Sequence, residues 1–228
     1  MTATAPADTR VRDRRSGASA TVGALGVLLH KPRLYDLFFQ LALIGRETSF
    51  REQLLELAGL RPGEAVLDVG CGTGSLALMA KEAVGGEGIV CGIDATAQMV
   101  SWAGQKARRA GAEVDFRQAC AQALPFPDTF FDVVLSTLML HHLPKKARTQ
   151  LAAEARRVLK PGGRILIVDF AEASQRKGLK RHLQHRHGKV ALHQILSLLE
   201  DAGLVVLASG PVGIENVHYA LATAPAAN

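Results

Sequence analysis

From Glu64 onward, short continuous apolar runs alternate with longer stretches in which apolar residues recur every three or four positions. Runs of four to seven such residues suit buried strands, and the wider spacing suits helices with one buried face. The pattern predicts strand one at 66–69, a helix at 75–84 closed by Gly85-Gly86, and strand two at 88–94. A third-to-fourth periodicity from Thr96, a cap residue, reaches Ala110, with Gly111 as its stop. Strand three follows at 113–117, strand four at 131–137, a helix at 145–159 and strand five at 164–169. A helix at 191–202, strand six at 204–208 and strand seven at 217–221 complete the series. Such alternation predicts an α/β fold, a mostly parallel sheet with helices on both faces.

Ahead of this series, 1–20 is rich in Ala, Thr and Arg without apolar periodicity and reads as a disordered tail. Residues 34–44 are strongly apolar and helix-length, with Gly45 as the stop. A second helix is expected from Ser49 as N-cap, with Glu52 completing a capping box, to about Gly59. The organisation expected is an N-terminal helical cover at 21–60, one main domain at 61–222 and a tail at 223–228.

In an open sheet of this kind ligands lie beyond the carboxyl ends of the strands, where the strand order reverses. The informative positions are therefore 70–74, 94–96, 119–121, 136–142 and 169–170. After strand one the chain reads VLDVGCGTG at 66–74, with Gly70, Gly72 and Gly74 leaving backbone open to a ligand. This G-x-G-x-G spacing departs from the G-x-G-x-x-G of pyrophosphate sites, and Asp68 places a carboxylate just before it. A negative charge there suits a cationic cofactor, and S-adenosylmethionine carries both a sulfonium and an ammonium. Asp94 ends strand two twenty residues beyond Gly74, the spacing at which an acid accepts hydrogen bonds from a ribose diol. Ile93, Ala95 and Met99 would then form an apolar sleeve for the adenine.

Composition narrows the partners. The 228 residues carry 27 Lys plus Arg against 21 Asp plus Glu, a net charge of +6, with basic clusters at 10–15, 145–148 and 176–189. Aromatic residues make up 5% and none interleaves with those clusters, which disfavours nucleic acid and leaves a solvated basic surface. Cys71, Cys91 and Cys120 are odd in number and lack C-x-x-C spacing, so neither a disulfide framework nor a zinc site is expected, and a reducing cytoplasm is. No apolar run reaches the roughly 18 residues of a membrane span. The apolar stretch at 18–29 has no clear cleavage site, so export is not expected either. His182, His185 and His187 form H-x-x-H-x-H without carboxylate or cysteine partners, and no metal site is expected.

Taken together, VLDVGCGTG at 66–74, GIDAT at 92–96, AQALPFPDTFFDVV at 121–134, STLMLHHLP at 136–144 and RVLKPGGRILIVDF at 157–170 resemble the class I S-adenosylmethionine-dependent methyltransferases. The branch most similar holds the ubiquinone and menaquinone biosynthesis enzymes and many small-molecule methyltransferases. The resemblance covers 33–222 and implies a Rossmann-like three-layer sandwich whose seven-stranded sheet has an antiparallel last strand. It implies cofactor contacts from Asp68, Gly70, Cys71, Gly72, Gly74, Asp94, Ala95, Met99, Cys120, Ala121 and Thr137. Tyr35 resembles the position that closes over the methionine carboxylate, and 171–190 falls where relatives vary their substrate cover.

Two departures shape the expected chemistry. Many relatives have an acid at Cys120 to bond the adenine amino group; a thiol is a weak acceptor, so Gln118, Gln122 or a backbone carbonyl would serve. The Arg-Asn signature of the quinone enzymes is replaced by Leu138-Met139-Leu140-His141-His142, which makes a quinone or lipid acceptor a lesser alternative. His141 and His142 follow strand four, where an acceptor would face the methyl group, and either is a candidate base, only one of the two pointing inward.

The expected activity is in-line methyl transfer to an O, N or C atom of a small acceptor, anionic or hydrophobic, with a membrane surface as a further contact. The N-P-P-Y, D-P-P-Y and Pro-Cys motifs of DNA methylation are missing. A non-catalytic S-adenosylmethionine-binding regulator is the main rival, and an NAD-dependent oxidoreductase a lesser one. Monomer and homodimer both remain open.

Overall fold

The computed structural model describes residues 46–170 and 190–226. Its strands are β1 (Ala65–Val69), β2 (Ile89–Asp94), β3 (Asp115–Gln118), β4 (Phe131–Thr137), β5 (Leu159–Phe170), β6 (Val205–Pro211) and β7 (Val217–Thr223). They form one sheet in the order β3-β2-β1-β4-β5-β7-β6. The pairs from β3 to β5 are parallel, and β7 runs antiparallel to both of its neighbours. The helices are α1 (Glu47–Ala58), α2 (Ser75–Val84), α3 (Ala97–Ala110), α4 (Lys145–Val158) and α5 (Leu192–Asp201), with a single 3-10 turn at Leu140–His142.

Period-two alternation sends successive side chains of each strand to opposite faces. Val66 of β1 meets α1 and α2 through Phe50, Leu54, Leu76 and Ala80, and α3 joins this face where Ala103 and Phe116 close around Gly74. Leu67 and Val69 face α4 and α5 through Leu151, Ala155, Ile195 and Leu199. Every residue of β1 is therefore buried, as its central place requires. This is the three-layer sandwich with an antiparallel last strand that the sequence led us to expect.

Two arginines fasten the layers. Arg164 of β5 grips both oxygens of Glu64 at 2.8 Å and bonds the carbonyls of Ala58 and Gly59, tying the end of α1 to the sheet. Burial would raise the Glu64 pKa, but the Arg164 bonds and the Arg61 backbone N–H together outweigh it and hold the carboxyl below its usual value. Arg157 of α4 reaches Glu154, Asp128 (2.8 Å) and the carbonyls of Phe126 (2.9 Å) and Leu124 (3.0 Å), pinning the 119–130 loop.

Several boundaries move. The α1 helix begins at Glu47, so Ser49 lies inside its first turn and makes no capping box; the Arg51–Glu47 pair, four residues apart, supports the earlier start. Through Phe50, Leu54 and Ala58 the α1 helix also belongs to the core. Thr96 occupies the N-cap position of α3 without a side-chain cap bond. The expected tail at 223–228 begins later: Thr223 ends β7, and Ala224 is buried and exchanges backbone bonds with Gly162 and Gly163. The expected helix at 34–44 with Tyr35, the tail at 1–20 and the segment 171–189 with His182, His185 and His187 lie outside the described residues.

Candidate active site

The strand order reverses between β1 and β4, and a cleft of about 440 Å³, open mouth included, lies at their carboxyl ends. Asp68, Gly70, Cys71 and Thr73 line it from the β1 side, Thr137 and Leu138 from the β4 side, and Phe50, Arg51 and Leu54 from α1. Ser75 and Leu76 at the start of α2 close its floor. Arg51 has no sequence signal beyond one position in an amphipathic helix, and only the packing of α1 brings it here.

The glycine loop is tied to β2. Gly70 and Cys71 donate to the Ile93 carbonyl at 2.8 and 2.9 Å, and Gly74 donates to the Cys71 carbonyl at 2.9 Å. Gly70, Gly72 and Gly74 all have positive φ, which glycine adopts without the cost a side chain would add. At two of these positions packing within the protein also requires the missing side chain. A Cβ on Gly70 would lie 2.4 Å from Met139 Cγ, and one on Gly74 would lie 2.7 Å from Phe116 and 2.8 Å from Ala103. Gly70 and Gly74 thus let the protein pack against its own loop.

Asp94 closes that loop as well as ending β2. Its Oδ2 accepts the Gly72 N–H at 3.1 Å and its Oδ1 the Thr96 N–H at 2.8 Å. Each oxygen keeps a further lone pair, which two ribose hydroxyls would use. Ala95 is half-buried, whereas Met99 and Ile93 are buried, so the apolar sleeve rests mostly on core side chains. At the neighbouring loop Ala121 is buried and Cys120 half-buried. The Gln118 amide donates to the Ala95 carbonyl at 3.1 Å, whereas Gln122 Oε1 is buried without a hydrogen-bond partner.

Asp68 is 2% exposed, and its Oδ2 has no partner. Burial first and the Asp94 carboxylate second push its pKa up to about 7, against the opposing pull of Arg51. Thr137 Oγ1, across the cleft mouth, is likewise buried and unpartnered. Burial, with Asp68 and Asp94 adding to it, pushes the Cys71 thiol well above the usual range, which makes it a packing residue and not a nucleophile.

Three residues beyond Leu138 the two histidines separate. Asp169, the single acid of the apolar strand β5 and fully buried, lies 2.7 Å from His141 Nδ1 through Oδ1. Its Oδ2 accepts the His141 backbone N–H at 3.1 Å, and the Phe170 N–H donates to Oδ1. The Phe170 ring stands edge-on to His141 at 5.2 Å, and the His142 ring lies 3.9 Å from that of His141. Arg148, part of the cluster expected to be solvated surface, instead donates to the Leu140 carbonyl at 2.9 Å and holds the 3-10 turn.

The group the sequence suggests fits these residues. Its cations would meet the partnerless Asp68 oxygen, its carboxylate would meet Arg51, and its ribose would meet Asp94. Comparison with known proteins agrees: a methyltransferase domain model matches residues 66–163. The ubiquinone/menaquinone biosynthesis C-methyltransferase of Francisella philomiragia is 35% identical over 60% of this chain and 55% of its own length. The 27-O-demethylrifamycin SV methyltransferase of Amycolatopsis mediterranei is 34% identical over 69% of this chain and 60% of its own. A solved S-adenosylmethionine-dependent methyltransferase from Aquifex aeolicus superposes with a TM-score of 0.69 at 25% identity, covering 85% of this chain and 98% of that one.

Residues 66–163 thus match a methyltransferase domain, and the fold is that of the class I S-adenosylmethionine-dependent methyltransferases. Within that class the chain is related to the ubiquinone/menaquinone methyltransferases, although it spans little more than half the length of those curated relatives.

Proposed function

We propose that this chain catalyses methyl transfer from S-adenosylmethionine to a hydroxyl oxygen of a small, largely apolar acceptor. The observation that carries the reading is the His141–Asp169 pair, in the turn that follows β4 and at the end of β5, on the same carboxyl side of the sheet as the cleft. When bound, the donor supplies a methyl group on a positively charged sulfur. Asp169, held by two backbone N–H groups, accepts Nδ1–H of His141 and leaves the lone pair on Nε2. From there His141 takes the hydroxyl proton as the oxygen forms its bond to the methyl carbon and the C–S electron pair returns to sulfur. Asp169 then stabilises the imidazolium.

Phe170, a large apolar side chain still 36% exposed, stands beside His141 and supports an apolar acceptor. The Amycolatopsis relative, a 27-O-demethylrifamycin SV methyltransferase, agrees with an oxygen acceptor. Asp68, Thr137 and Arg51 would seat the methionine part of the donor, Asp94 its ribose, and Gln122 Oε1 its adenine amino group. The unpaired Cys71, Cys91 and Cys120 support a reducing compartment such as the cytoplasm.

The test is transfer of tritiated methyl to a panel of phenols, hydroxylated macrocycles, quinols and amines, with donor binding followed by calorimetry. Label on a hydroxyl oxygen is the expected result. Tight donor binding with transfer to no acceptor would favour a regulatory binding protein, and label on ring carbon would move the chain to quinone-type chemistry.

A further inference from the structure

Asp68 is buried at the wall of the donor cleft with one carboxyl oxygen unpartnered. Asp94 faces it from the end of β2, and Arg51, itself paired with Glu47, from α1. Cys71 in the adjoining loop stays a neutral thiol, and Lys106 of α3 reaches the cleft floor by donating to Ser75 Oγ at 2.6 Å. A carboxylate so placed lacks water and looks onto another acid, so in the free protein it holds its proton up to about pH 7. S-adenosylmethionine carries one net positive charge, from sulfonium and ammonium against one carboxylate. S-adenosylhomocysteine, the product once the methyl has left, carries none.

Resting on the methyl-donor reading above, we infer that Asp68 is a charge sensor, protonated in the empty cleft and ionised against the cationic donor. Donor entry releases its proton to solvent, and conversion of sulfonium to thioether lowers the positive charge that kept it off, so a proton returns as product forms. The ionised acid thus holds the charged donor more tightly than the reprotonated acid holds the neutral product, which promotes turnover by weakening product retention.

The test is calorimetric titration of the protein with S-adenosylmethionine and, separately, S-adenosylhomocysteine, in phosphate and in Tris at pH 6.5 and 8.5. At pH 6.5 the buffer dependence of the enthalpy should show donor binding releasing most of one proton and product binding clearly less. At pH 8.5 both should release almost none, and donor affinity should fall about tenfold per pH unit below the ionisation of the free carboxyl. Asp68→Asn should release no proton with either ligand, and His141→Ala should release as many as the unaltered protein. Donor binding at pH 6.5 without release, equal release with donor and product, or release that survives Asp68→Asn would each overturn the inference while leaving the donor assignment intact. Failure of both ligands to bind at any pH would instead remove the methyl-donor reading itself, and this inference with it.

Discussion

His141 and His142 are adjacent in the chain and chemically identical, and it is His141 whose Nδ1 lies against a fully buried carboxylate. His141→Ala should lower kcat by roughly 10²–10⁴-fold with whichever acceptor the transfer assay identifies, while donor affinity stays within a few-fold. Asp169→Asn should also lower kcat, because an amide can offer N–H to Nδ1 and favour the wrong tautomer. If either variant weakened donor binding as much as turnover, the pair would be a structural prop and not a base with its orienting acid. Gly70 carries a different constraint. A Cβ there meets Met139 Cγ at 2.4 Å and Cβ at 3.0 Å, the near end of that side chain, and the residue sits at φ +76°. Gly70→Ala should cost about 1–3 kcal/mol, read from chemical denaturation, and should disturb the Met139–His142 turn. Denaturation at an unchanged midpoint would show that Met139 yields freely.

The elements that position the site are held by side chains from outside it. Arg157 of α4 spans Glu154, Asp128 and two carbonyls of the 119–130 loop, and its bonds to Glu154 and Asp128 raise its own pKa. Arg157→Ala should loosen that loop by about 1–2 kcal/mol and speed amide exchange at 119–130, leaving the strands β1, β4 and β5 protected. Exchange that quickened equally throughout the sheet would mean the arginine supports the whole domain. The central strands β1, β2 and β4 were legible because their apolar runs answer to a local rule. The start of α1 was not, since Ser49 and Glu52 satisfy the capping-box pattern while Glu47 and Arg51 pair one turn earlier. The end of β5 shows the same limit, because its pairing with β7 carries order out to Phe170.

For the whole molecule, Asp68 links stability to pH. Its pKa is raised in the folded state from 3.8 to about 7, so the folded protein holds a proton that the unfolded chain has already lost between those values. Stability from this group is therefore full at low pH, falls as pH rises through that window, and is level above it. Glu64 and Glu154 have lowered pKa values and act oppositely, their contribution being lost only as pH drops below the ordinary glutamate range. The ligand-free protein should thus melt several degrees lower at pH 8 than at pH 5.5, at roughly 2–4 °C per kcal/mol for a chain of this size. Asp68→Asn should flatten the slope; an unchanged slope would place its origin elsewhere. S-adenosylmethionine at a hundredfold excess over Kd should add about 2.7 kcal/mol.

The fold class and the candidate donor loop were legible in the sequence alone, because their signals are local. Strand, acid and glycine loop lie within 66–74, and Asp94 follows at the end of the next strand. What only tertiary structure decided depends on residues far apart in the chain. Asp169 selects His141 across 28 positions, α1 delivers Arg51 to the cleft, and Arg148 leaves the basic surface to hold the histidine turn. Met139 and Phe116 fill the spaces that Gly70 and Gly74 leave open. Burial beside Asp94 turns Asp68 from the constant negative charge suggested by its letter into a group that titrates near neutrality. Desolvation and packing are properties of the assembled surroundings, and no pattern of neighbouring letters encodes them.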